Sequence, residues 1–156
     1  MNRRDGSQEG FTLIEVVCVM AIIGLLAAVL LPNIPRQTSR PRLKAYAIEV
    51  ASMLKSDRDA AIGSRSVVAT RVDAPSRTIR SGATGEVLRV PNDVRFGSVL
   101  PRSCNNQQVG AEIDFFPSGM SCGGAIVLSR HDAGFEIQVN WLTGKIDVEG
   151  RDHAAN

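Results

Sequence analysis

Val16 to Leu31 is a run of 16 residues, VVCVMAIIGLLAAVLL, without one polar side chain. Extended back to Phe11, the segment covers 21 residues and is interrupted only by Thr12 and Glu15. Coiled at about 1.5 Å per residue, it reaches ~31 Å, close to the thickness of a bilayer core. A helix that is apolar on every face has no polar side to turn toward water. The spacing therefore predicts a transmembrane helix over 11–31. No other window of the sequence is comparable, and the 125 residues from Pro32 onward read as a water-soluble part.

Composition narrows the function of that part. With 18 basic and 16 acidic residues the net charge is +2, and seven aromatics are too few for a base-stacking platform. Three cysteines exclude a disulfide-dense miniprotein and a four-cysteine zinc site. The two histidines, His131 and His153, are too far apart in the chain to suggest a metal cluster. No phosphate-binding loop or nucleophile elbow is present, and His131-Asp132 reads as a turn before Gly134. No cofactor, metal or enzymatic activity is expected.

Past the apolar run the periodicity changes twice. In 42–64, Leu43, Tyr46, Ala47, Val50, Met53 and Leu54 recur at three- and four-residue spacing, which predicts a helix with one apolar stripe. Lys44, Glu49, Lys55, Asp57 and Arg58 fall on its other faces, and Gly63-Ser64 offers a stop. Residues 32–64 are expected to extend the N-terminal helix, kinked or interrupted at Pro32, Pro35 and Pro41.

From residue 66 the period is two. Phe135, Ile137, Val139 and Trp141 alternate with Glu136, Gln138 and Asn140, and Thr143-Gly144 turns the chain into 145–149 as a hairpin. Further strands are expected at 67–72, 78–80, 86–90, 93–96, 112–116 and 125–130. One helix followed by a run of strands implies an α+β fold, an antiparallel sheet covered by the helix. The head is expected to span 65–156.

Residues 10–15, Gly-Phe-Thr-Leu-Ile-Glu, stand directly before the apolar run. This pattern resembles the class III signal of type IV pilins and type II secretion pseudopilins. Farther on, Phe116-Pro117-Ser118-Gly119, Gly123-Gly124 and Thr143-Gly144-Lys145-Ile146 resemble the C-terminal half of the H-type pseudopilin and FimT-like minor pilin family. The resemblance implies a leader over 1–10, cleaved after Gly10 by a prepilin peptidase, with N-methylation of the new Phe11 amine. It implies a single-pass inner-membrane protein, N-terminus cytoplasmic and head periplasmic. Arg36, Arg40, Arg42 and Lys44 after the helix oppose that orientation, but long domains translocate largely regardless of flanking charge.

The function implied is that of a minor pseudopilin, a structural subunit of a type II secretion pseudopilus, with other major and minor pseudopilins as partners. The alternative is a type IV pilus minor pilin involved in pilus assembly or DNA uptake. Residues 36–102 carry a balance of +7 and residues 103–156 one of −4. An arginine-rich half can be a solvated face or a docking face, and the acidic final third argues against a DNA-binding tail. Nucleic acid is not an expected partner.

Three positions follow from this frame. A carboxylate in a membrane helix costs roughly 2.5–3.5 kcal/mol on insertion scales. Glu15 is either a first-turn acid favoured by the helix dipole or, as the resemblance implies, the partner of a neighbouring subunit's Phe11 amine. Cys18 reads as a small apolar residue of the helix. Cys104 and Cys122 are either two thiols or, in an oxidising compartment, a disulfide closing a loop worth about 3 kcal/mol in the chain-entropy model.

Overall fold

The computed structural model describes residues 11–30, 38–105, 107–108 and 110–152. The chain divides into two compact units, 1–35 and 36–156. The expected leader over 1–10 and the proline-bearing stretch 31–37 lie outside the described residues.

The first unit is helix α1, Leu13–Leu30. Thr12 opens it: the Glu15 N–H donates to the Thr12 carbonyl at 3.0 Å and meets Thr12 Oγ1 at 3.4 Å. This is the side-chain capping that a hydroxyl residue supplies to orphan first-turn amides. Every side chain from Phe11 to Leu26 is exposed. Among the described residues no helix is long and apolar enough to cross a membrane. The predicted span ends at Leu31, outside the described residues.

The second unit begins with Thr38 and Ser39 in non-helical backbone, and helix α2 runs Arg40–Ser64. Pro41 thus starts a helix rather than kinking one, because its missing N–H falls among the amides a first turn leaves unpaired. The helix ends at Ser64, within the expected Gly63-Ser64 stop, and Arg65 after it takes the left-handed conformation with φ 52°. The buried stripe of α2 is Leu43, Ala47, Val50, Ala51, Met53, Leu54, Asp57 and Ala61.

The strands are β1 Val68–Asp73, β2 Thr78–Arg80, β3 Val87–Arg89, β4 Arg95–Val99, β5 Ser103–Cys104, β6 Gln107–Gln108, β7 Glu112–Phe115, β8 Gly124–Arg130, β9 Ala133–Val139 and β10 Ile146–Asp152. They form two four-stranded sheets, ordered β3-β2-β1-β7 and β10-β9-β8-β4, and a small β5-β6 hairpin, all antiparallel. Helix α2 packs against β1 and β7 of one sheet and β8, β9 and β10 of the other. The core between them includes Val50, Leu54, Ile79, Ile113, Phe115, Ile126, Leu128 and Ile137, each fully buried. Burying such a side chain contributes about 1.5–3 kcal/mol. The fold is α+β with antiparallel sheets, as the change of period from 3.6 to 2 predicts.

Three details differ from the sequence reading. Asp57 is not on an outer face of α2: it is completely buried. Trp141 is not the last inward residue of β9: it lies 62% exposed in the β9–β10 turn. The ladder stops because Asn140 Oδ1 accepts the Leu142 and Thr143 amides, both at 3.0 Å, and bends the chain away from the strand. The strand expected at 93–96 is displaced to Arg95–Val99, because the Asp93 side chain is engaged with Thr38 and the Val94 N–H turns back to the Pro91 carbonyl.

Candidate assembly surfaces

Phe11 stands two residues before α1, and Glu15 lies in the first turn of the helix. With Val16, Val19, Met20 and Ile23 they line a shallow lane of about 330 Å³. Among the described residues the Glu15 carboxylate has no ion-pair partner, and Gly10 lies outside them. Cys18 is exposed on the same helix as a free thiol. A helix that is apolar all round, with one acid a turn from its start, is built to be surrounded by apolar matter.

In the head, Asp57 receives four hydrogen bonds. Thr70 Oγ1 and Ser81 Oγ each donate at 2.5 Å, and the Gly82 and Ala83 amides donate at 3.1 Å. Burying a carboxylate is tolerable only when its lone pairs are so occupied. The β2–β3 turn can approach this closely because Gly82 has no side chain; a Cβ there would run into the Ala69 carbonyl.

One residue later, Arg58 reaches two other turns of the head. Its Nε donates to the Gly119 carbonyl at 3.0 Å and its Nη2 to the Thr143 carbonyl at 3.3 Å. The Phe116–Gly119 and Thr143–Gly144 turns therefore meet on one guanidinium. Gly144, at φ 62°, lies so close that a Cβ would strike the Gly119 carbonyl and approach Arg58 Nε at 2.9 Å. Sequence reasoning quoted both turns and missed the arginine that joins them.

A third node holds the start of α2. Asp93 accepts the Thr38 N–H at 2.7 Å and the Thr38 hydroxyl at 3.0 Å, and Arg130 Nε lies 3.1 Å from Asp93 Oδ2. The Thr38 amide, above all, holds the Asp93 carboxyl below its ordinary pKa of 3.8. Arg130 Nη1 also donates to the Thr38 carbonyl at 2.6 Å.

Cys104 and Cys122 are joined, with Cα atoms 5.6 Å apart, so the β5–β6 hairpin is fastened to the turn before β8. Beside Cys122 a hollow of about 500 Å³ is lined by Val99, Leu100, Gly123, Val139 and Trp141. Val99 and Leu142 are exposed with Trp141, which makes this an apolar end of the head. His131 lies exposed between β8 and β9. Among the described residues no group of three His, Cys, Asp or Glu is placed to hold a metal.

Residues 6–31 match the prokaryotic N-terminal methylation motif. The chain is 28% identical over 140 residues to type II secretion system protein H of Xanthomonas campestris pv. campestris, covering 88% of this chain and 81% of that protein. The chain is thus similar to a type II secretion protein H over most of its length, and the methylation motif matches at its start. A fimbrial protein of Pseudomonas aeruginosa is 34% identical over 64 residues, which is 41% of this chain and 42% of that one. The fold matches the minor pseudopilin EpsH from the type 2 secretion system of Vibrio cholerae, with TM-score 0.53, 12% identity, and 68% and 94% of the two chains covered. It also matches the type IV minor pilin FimU of Pseudomonas aeruginosa, with TM-score 0.50, 17% identity, and 72% and 91% covered. At these identities the structural likeness speaks for the shared fold.

Proposed function

We propose that this pilin-like chain is a minor pseudopilin, a structural subunit of a type II secretion pseudopilus. The observation that carries this reading is α1: apolar apart from Glu15, exposed from Leu13 to Leu26, preceded by Phe11, and lying within the matched methylation motif. The kinship with protein H over most of the chain supports secretion rather than another use of the fold.

In this reading a prepilin peptidase cleaves after Gly10 at the cytoplasmic side of the inner membrane, and the Phe11 amine is methylated. The segment 11–31 anchors the chain in the inner membrane with its head in the periplasm. Assembly proceeds by lateral packing of apolar helices, and Glu15 pairs with the Phe11 amine of a neighbouring subunit. Other major and minor pseudopilins are the partners, and the head contributes contacts rather than catalysis. The similarity of 64 residues of the chain to a fimbrial protein supports a second reading, a type IV pilus minor pilin.

The experiment is Glu15→Gln, nearly isosteric and uncharged. Membrane insertion should persist, because removing a charge from an apolar helix favours insertion. Co-purification with the other pseudopilins, and secretion with it, should fail. A variant that assembles and secretes like the wild type would return Glu15 to the role of a first-turn helix acid. Salt-sensitive retention of DNA by the purified protein would favour the pilus reading.

A further inference from the structure

Asp114 on β7 is tied twice to Cys122. The Asp114 carbonyl accepts the Cys122 N–H at 3.0 Å, and Asp114 Oδ2 lies 3.6 Å from Cys122 Sγ. In the disulfide that sulfur carries no proton to donate, so the carboxylate faces a sulfur with which it makes no hydrogen bond. The assembly surfaces described above make no use of this contact. We propose that Asp114 guards the Cys104–Cys122 bond against reduction: its negative charge opposes a thiolate arriving at Cys122 and a thiolate departing from it.

The chemistry leaves a reductant two entrances. Thiol–disulfide exchange begins when a thiolate sulfur attacks one sulfur of the bond and the other departs as thiolate. Attack on Cys122 Sγ brings an anion up to the Asp114 carboxylate. Attack on Cys104 Sγ expels Cys122 as a thiolate beside the same carboxylate, which makes it a poor leaving group. With a dithiol reductant, the second thiol then resolves the mixed disulfide. The cysteine pair gains two electrons and two protons, and the reductant closes to its own disulfide. Both entrances are opposed by one group.

Among the described residues, the charge that acts on Asp114 is that of Glu112. Glu112 stands two residues away on the same strand, and Arg71, on the neighbouring β1, is engaged by Glu112 through Nε and Nη2 at 2.9 and 2.7 Å. Ala69, directly opposite Asp114 on β1, adds none. Burial first, and then the Glu112 charge, raise the Asp114 carboxyl above its ordinary pKa. The guard is therefore withdrawn on acidification earlier than an ordinary aspartate would be.

The test uses the full chain in detergent with Cys18→Ser, so that thiols report only the pair. Reduction by dithiothreitol is followed by mass after acid quench, and rates are expressed per thiolate from pH 8 down through the carboxylate range. At pH 8 and low salt, Asp114→Asn should be reduced on the order of tenfold faster than its parent, and added salt should narrow the gap. The per-thiolate rate of the parent should rise as pH falls through the Asp114 titration, while that of the Asn variant stays flat. An uncharged phosphine, which is not repelled, should show a smaller gap. Equal rates and equal pH trends in the two proteins would overturn the proposal. So would an Asn variant faster with thiolate and phosphine alike that keeps the parental pH trend, since that marks a loosened head. Should Asp114→Asn fail to fold, Glu112→Gln leaves Asp114 beside the disulfide and should move the parental rise to lower pH; an unmoved rise overturns the proposal.

Discussion

Arg58 Nε donates to the Gly119 carbonyl at 3.0 Å, across 61 residues of chain. The same guanidinium reaches the Thr143 carbonyl, so one α2 side chain sets the spacing between the turn after β7 and the β9–β10 turn. Both carbonyls belong to turns with a glycine in the left-handed region, which exposes backbone groups that a fork of donors can collect. Arg58→Met keeps much of the apolar stem and removes the donors. It should lower head stability by about 1–3 kcal/mol in urea unfolding, with Arg58→Lys recovering only part. An unchanged midpoint for Arg58→Met would show that water replaces these bonds without cost.

Asp57→Ala should be more damaging. It strands two hydroxyls and two amides that point at a buried site, and such losses cost about 3–5 kcal/mol. Asp57→Asn supplies one acceptor oxygen and two unwanted donors, so it should fall between. Thermal or urea unfolding of the three proteins gives the order directly. Wild-type stability in the alanine variant would mean that the four donors find other partners.

The Asp93 node makes the head acid-sensitive. Its folded-state pKa lies below 3.8 because the Thr38 amide and hydroxyl stabilise the charged form. The stabilisation is fully present above the unfolded value near 3.8 and is lost as pH falls through the lowered folded value. Asp93→Asn should be less stable than wild type at neutral pH, and the difference should close below about pH 3.8 as the wild type loses its charge. A difference independent of pH would assign the effect to packing.

Gly10 bears on processing. Only a small side chain is expected at the cleavage position, so Gly10→Val should leave an uncleaved precursor in the membrane fraction. The N-terminal mass decides the matter. A variant cut normally after position 10 would contradict the class III signal.

Much of this protein is written locally. The apolar run from Val16 to Leu31 and the Gly10–Glu15 pattern before it need no tertiary information, because their meaning lies in unbroken hydrophobicity and in adjacent residues. The stripe from Leu43 to Leu54 and the alternation from Phe135 to Val139 are equally legible, since a helix and a strand each repeat their buried face at a fixed interval. Periodicity reads chemistry as hydrophobic or polar, and the structure departs from the sequence reading where that division fails. Asp57 is buried because four donors from β1 and the β2–β3 turn converge on it, residues 13 to 26 positions away. Trp141 is exposed because Asn140 ends the strand through a local turn that apolar alternation does not register. The β5–β6 hairpin is too short to show a period. Arg58, with its two distant carbonyls, and Asp114, beside a sulfur eight residues on, carry ordinary polar side chains whose roles exist only after α2, β7 and the glycine turns have been brought together. Local pattern settled the period of each helix and strand; the meeting of segments far apart in the chain settled which polar groups matter.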